Sequence, residues 1–169
     1  MKKMRGVWIE VDLDSIVYNV KAIHSLACSD LGHDIPCMPI LKGGAYGHGI
    51  YELAKALNNN GFSTFGVATF SEGCILKRAV SDAKVLILGY TPDYAIDGVI
   101  EEELIQTVYT IEQARWFNER ALTLQIPLKV HIKLDTGMHR IGFKCCPETI
   151  TSIREIVHMK GLQVEGIFT

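Results

Sequence analysis

Short apolar runs alternate along the chain with stretches whose apolar residues recur at helical spacing, and Gly, Asn or Pro stands at most of the junctions. The pattern predicts an opening strand over residues 7–11, a helix over about 14–26, a strand over 37–41 and a helix over 50–58. Asn58-Asn59-Asn60-Gly61 supplies residues that tolerate left-handed backbone and stops that helix. A strand at 65–68 and a helix led by Ser71-Glu72-Gly73 and running to Ala79 come next, then the strand 84–89, apolar after Lys84 and of the type buried on both faces of a parallel sheet. Thr91-Pro92-Asp93 starts another helix, and the series closes with strand 104–109, helix 111–122, strand 128–134, helix 147–158 and strand 162–168. Strands alternating with helices predict a single α/β domain built on a parallel sheet with crossover helices.

After the opening strand this gives six parallel strands, near Leu41, Val67, Leu86, Val108, Ile132 and Ile167. Closing a (β/α)8 barrel takes eight strands and about 250 residues. The 169 residues therefore predict an incomplete TIM-type barrel of about six strands, with Thr169 at a strand end as the sign of a truncated chain. A shorter open sheet is the alternative. Pro39 sits awkwardly in this scheme, because it lacks the N–H that a central strand donates to its ladder.

Two strand ends carry chemistry. Lys42 follows the apolar run 35–41 and opens the turn Lys42-Gly43-Gly44-Ala45-Tyr46-Gly47-His48-Gly49. An amine flanked by apolar walls is suited to attack a carbonyl as a Schiff-base lysine, and the glycines let backbone N–H groups approach a phosphate. The competing reading is a surface lysine before an ordinary strand-to-helix loop. The second strand end gathers Lys133, Asp135 and Arg140 in Lys133-Leu134-Asp135-Thr136-Gly137-Met138-His139-Arg140-Ile141-Gly142-Phe143, and cations at two strand ends invite an anionic ligand.

Taken in order, Trp8-Ile9-Glu10-Val11-Asp12-Leu13-Asp14-Ser15-Ile16, Lys42 to Gly49, Phe65-Gly66-Val67-Ala68-Thr69, Lys133 to Phe143 and Val164-Glu165-Gly166-Ile167-Phe168-Thr169 resemble the amino-terminal part of the alanine racemases, barrel enzymes that use pyridoxal 5'-phosphate. The resemblance implies that residues 1–169 are the amino-terminal portion of the barrel domain, and that the family's carboxyl-terminal β domain is absent from them. It implies an isomerase that interconverts L- and D-alanine for cell-wall peptidoglycan, with a related serine racemase or an inactive cofactor-binding fragment as alternatives. Lys42 then carries the cofactor and exchanges the α-proton on one face of the substrate. Tyr46 contacts the cofactor phosphate, against the plainer reading of an aromatic that fills the groove. Arg140 reaches the cofactor's phenolic oxygen and holds the substrate carboxylate. Lys133, often carbamylated in the family, fixes that arginine; its plain alternative is a strand lysine paired with a carboxylate. Met138 reads as packing. The second acid–base group is, in the family, a tyrosine of the partner subunit in a homodimer, so this 169-residue form alone is expected to be inactive. Gly43 and Gly44 replace the alanine and asparagine usual after the lysine, which predicts a floppier loop.

Composition narrows the partners. A net charge of -2, with no long block of like charge, offers nothing to nucleic acid. Lys2, Lys3 and Arg5 precede no signal-type apolar stretch, and no run approaches the roughly 18 apolar residues of a membrane span, so a cytoplasmic protein is expected. The five cysteines contain no C-x-x-C pair and the histidines show no metal-ligand spacing. Neither a disulfide framework nor a zinc site is predicted, and His24, His33 and His158 are read as surface residues without chemistry.

Overall fold

In the computed structural model, which describes residues 6–169, the first regular element is the helix α1 (Leu13–Leu31). Asp12 starts it by accepting the backbone N–H of Ser15 at 3.0 Å, and Gly32, at φ 70°, ends it. The helix continues a turn past the predicted end because Ala27 to Asp30 contain no breaker. The predicted opening strand does not form: residues 7–11 pair with no other strand among the described residues, and Val7 and Ile9 are 86% and 84% exposed. Their alternating pattern is that of a strand without a neighbouring edge. Lys2, Lys3 and Arg5 lie outside the described residues.

The predicted strand at 37–41 shrinks to a single bridge, Ile40 beside Gly66, and Pro39 explains why. Gly66 N–H donates to Pro39 O at 3.0 Å and Leu41 N–H to Gly66 O at 2.7 Å. The next bond back along this ladder would be donated by the nitrogen of residue 39, which in proline carries no hydrogen. Beyond this point come α2 (Lys42–Tyr46), a single turn, and α3 (Ile50–Asn58).

The sheet proper then builds as predicted. β1 (Thr64–Val67), β2 (Lys84–Ile87), β3 (Ile105–Val108) and β4 (Leu128–Asp135) lie side by side, all parallel. β5 (Phe143–Lys144) adds a two-residue pairing at the end of β4, and β6 (Leu162–Phe168) completes the sheet along the length of β4. The intervening helices are α4 (Phe70–Ala79), α5 (Ile96–Glu101) after a 3-10 turn, α6 (Ile111–Leu124) and α7 (Pro147–Val157). This succession of parallel strands and helices is a partial (β/α)8 barrel.

Strand alternation separates the two faces. Phe65, Val85, Ile87, Val108, Val130 and Ile132 are buried in one core cluster with Leu53, Leu76, Phe117 and Ile156 of the helices. The opposite face carries, in register, Ile40, Gly66 and Leu86 on one side and Thr107, His131 and Gly166 on the other. A Cβ on Gly66 would lie 2.5 Å from Ile40 Cδ1, and one on Gly166 2.7 Å from the His131 ring, so both glycines are places where inner-face side chains close over bare backbone. Outside, Arg115 of α6 forks onto Glu155 of α7 (2.7 and 3.0 Å), and Arg120 onto Asp97 of α5 (3.1 and 2.6 Å).

Replacing Phe117, which is 1% exposed, by alanine is expected to lower the unfolding free energy by about 3–5 kcal/mol in denaturant titrations. A cost below 1 kcal/mol, the scale of a surface change, would contradict its place between helix and sheet. The Arg115 guanidinium holds the Glu155 carboxyl below its usual range. A depressed folded-state pKa contributes stability that is present at neutral pH and lost as pH falls through the carboxylate range. Melting temperature measured against pH should therefore fall less steeply on the acid side in Glu155→Gln than in the parent; identical slopes would contradict the ion pair.

Candidate active site

Lys42 begins where the Ile40 bridge ends, so its backbone stands at the carboxyl end of the parallel strands. That is the end at which barrel folds hold ligands. The turn it opens is left-handed: Gly43, Gly44 and Ala45 have φ/ψ of 62/40, 66/34 and 56/47, and Tyr46 follows at φ 54. Left-handed helical backbone costs L-residues about 1–2 kcal/mol each, and glycine escapes that cost. Gly43 and Gly44 thus remove strain from the first half of the turn, and the predicted floppiness is not what distinguishes them.

The turn is pinned by a residue the sequence reading did not single out. Glu72, in the first turn of α4, accepts the N–H of Gly43 at 2.6 Å on one carboxylate oxygen and the N–H of Ala68 at 2.8 Å on the other. One side chain therefore ties the peptide that follows Lys42 to the segment leaving β1. Thr69-Phe70-Ser71-Glu72 has the spacing of a helix capping box, and Thr69 Oγ1 does accept the Glu72 N–H at 3.4 Å. The glutamate turns away from the reciprocal bond of that box to reach Gly43 and Ala68. The capping-box spacing was the available signal, and it points to a local role only.

Five of the turn's N–H groups are already engaged within the protein. Ala45, Gly47, His48 and Gly49 donate to the carbonyls of Leu41, Gly43, Ala45 and Gly44, and Gly43 to Glu72. What the turn leaves open is space: a Cβ at Gly43, Gly44 or Gly47 would meet nothing within 4 Å. Tyr46, 64% exposed in the same turn, also lines the apolar hollow behind it. The apolar hollow of about 340 Å³ behind the turn, between Ile16, Val20, Leu41 and Ala45, is lined by no lysine or arginine, and Tyr46 and His48 are at its wall.

Lys133 lies on the inner face of β4, only 7% exposed, with its Nζ 4.6 Å from the centre of the Phe168 ring. Among the described residues no carboxylate pairs with it, which removes the plain ion-pair reading. Asp135 ends β4 and accepts the N–H groups of His139 (2.9 Å) and Gly137 (3.1 Å); these bonds hold its carboxyl below the usual range and shape the loop. Arg140 is exposed on that loop, and Met138, at 71% exposed, is not packing. Lys42 and Tyr46 share one turn and Lys133 and Arg140 flank another, both at the same end of the sheet, with β1, β2 and β3 between them. No hydrogen bond or ion pair joins the two groups among the described residues.

Glu72→Ala is expected to speed amide hydrogen exchange at both Gly43 and Ala68 and to cost about 1.5–3 kcal/mol for each charged hydrogen bond lost. Unchanged protection at Gly43 would show that the turn holds itself without Glu72.

Residues 11–169 match the family described as alanine racemase, N-terminal domain. The chain is 39% identical over 168 residues to the alanine racemase of Clostridium tetani and 41% identical over 166 residues to that of Carboxydothermus hydrogenoformans, covering 99% and 98% of itself. It spans only 42% and 43% of those two proteins. The solved alanine racemase of Clostridium difficile 630 superposes with a TM-score of 0.93 at 36% identity, over 99% of this chain and 45% of that one. A parallel barrel segment with a left-handed lysine turn at its ligand end, and this breadth of similarity, lead to one assignment: the chain belongs to the alanine racemase N-terminal domain family.

Proposed function

We propose that these residues form the amino-terminal part of the barrel of a pyridoxal-phosphate-dependent alanine racemase, an isomerase, with Lys42 as the residue that carries the cofactor. The observation that carries this reading is the placement of Lys42 at the ligand end of the sheet, in a turn whose backbone is set by Gly43, Gly44 and the Glu72 carboxylate. Membership of a family of isomerases supports it, and the curated relatives, being named for alanine, favour alanine over serine.

The residues present fit the cofactor. Lys42, an open glycine-lined turn and an exposed tyrosine lie together in sequence, and Arg140 stands at the same end of the sheet. Bound there, pyridoxal phosphate supplies an electron sink for the charge left when an α-proton departs. Lys42 Nζ accepts and returns that proton on one face of the substrate. Tyr46 donates its hydroxyl hydrogen to the phosphate. Arg140 offers its planar fork to the substrate carboxylate, a geometry that matches two oxygens at once. Lys133 is read as the residue that steadies Arg140. Uptake of carbon dioxide by its amine, with release of two protons counted from the ammonium form, would turn a buried side chain without a carboxylate partner into a carbamate anion able to pair with the guanidinium. The acid–base group for the opposite face is assigned to a partner subunit, as the resemblance implies.

In the full-length protein loaded with cofactor, Lys42→Ala should slow exchange of the alanine α-hydrogen for deuterium by about 10²–10⁴-fold. Arg140→Ala should leave the cofactor bound and raise the alanine concentration needed for half-maximal exchange by about tenfold or more. Exchange that survives Lys42→Ala would remove the lysine from the role, and an unchanged alanine dependence would remove Arg140.

A further inference from the structure

The loop that carries Arg140 has no regular structure of its own: residues 136–142 form neither helix nor strand, and residues 136–140 are all exposed. It is closed nevertheless, at its base, its neck and its centre. At the base β4 pairs with β5, Leu134 beside Phe143 and Asp135 beside Lys144, so the loop leaves and rejoins the sheet at adjacent positions. At the neck Gly142, with φ 142°, lies so near the strand that a Cβ there would stand 2.6 Å from the Asp135 nitrogen and 2.7 Å from the Leu134 carbonyl carbon. In the centre the Asp135 carboxylate reaches across the loop. Its Oδ1 accepts the N–H of Gly137 at 3.1 Å and that of His139 at 2.9 Å, and its Oδ2 stands 3.4 Å from the His139 imidazole.

His139 immediately precedes Arg140, and its backbone is left-handed at φ 54°. A residue with a side chain keeps that conformation where its surroundings over-determine it, and here one carboxylate takes both its N–H and its ring. The direction in which the chain enters Arg140 is therefore set by Asp135. The carboxylate is spent on these groups, and no ion pair joins it to Arg140 among the described residues, so the guanidinium fork stays open to an outside carboxylate. We propose that Asp135, with Gly142 closing the neck of the loop, is a positioning residue for substrate binding: it does not touch the amino acid, and it holds the Arg140 fork where the substrate carboxylate is gripped. This rests on the reading of Arg140 as the residue that binds that carboxylate. On an unclosed loop the arginine would have to be ordered at the moment of binding, and a loop closed beforehand removes that cost from the affinity.

In the full-length protein loaded with cofactor, Asp135→Ala should raise the alanine concentration needed for half-maximal α-hydrogen exchange by about tenfold and change the saturating rate less. Asp135→Asn, which keeps an oxygen for both N–H groups, should recover most of that loss. In an Arg140→Ala background, Asp135→Ala should add nothing to the alanine dependence, because its effect passes through the missing guanidinium. An additive effect there, an Asn variant no better than the Ala variant, or an unchanged dependence in Asp135→Ala when Arg140→Ala does raise it, overturns the positioning role and leaves that of Arg140 intact. An unchanged dependence in Arg140→Ala overturns instead the reading beneath it, and the proposal with it. In the unsubstituted chain without cofactor, where no variant has to fold, the Gly137 and His139 amide hydrogens should exchange at least about tenfold more slowly than in an unstructured peptide of the same sequence. Exchange at the peptide rate would likewise overturn the clamp.

Discussion

The Glu72 carboxylate adds two hydrogen bonds to the Ile40–Gly66 bridge in holding the peptide after Lys42 beside the end of β1. Much follows from it. The Ile40 bridge alone ties the first strand position to the sheet, because Pro39 cuts that ladder short. A left-handed turn then has to be set at a sheet edge anchored by two hydrogen bonds. A charged acceptor reaching both N–H groups supplies the missing fixation, at roughly twice the strength of neutral bonds. The precision with which an amine can be presented to a carbonyl depends on such support for the residue's own backbone.

Gly43 and Gly44 belong to the same account. At φ near +60 they are where an L-residue would be strained, yet Ala45 and Tyr46 occupy the same conformation without that relief. The turn combines a strained half, which contains the exposed Tyr46, with an unstrained half directly after the lysine. Strain of this kind persists only where the surroundings over-determine the backbone. Here the surroundings are the bonds from Ala45 to Leu41 and from Gly49 to Gly44, and the Glu72 clamp.

Most of the architecture was legible in the sequence because buried parallel strands and amphipathic helices have strong periodic signatures. The apolar run that became β2 and the Asn-Gly stop after α3 are direct instances. Residues 7–11 misled because alternation marks the capacity to pair and not the presence of a partner. The 37–41 strand misled in extent because one proline decides where a ladder ends. At the candidate site the lysine, tyrosine and arginine could be found from motif order, whereas Glu72 could not, since its partners at positions 43 and 68 are set by the fold.

The most direct test of the central claim is chemical. The chain is mixed with pyridoxal phosphate, reduced with borohydride and mapped peptide by peptide. A single reduced adduct on Lys42, absent in Lys42→Ala, is the predicted result. Labelling spread over many lysines, or an adduct at another residue with Lys42 unmodified, would contradict the assignment of the left-handed turn as the cofactor's attachment point.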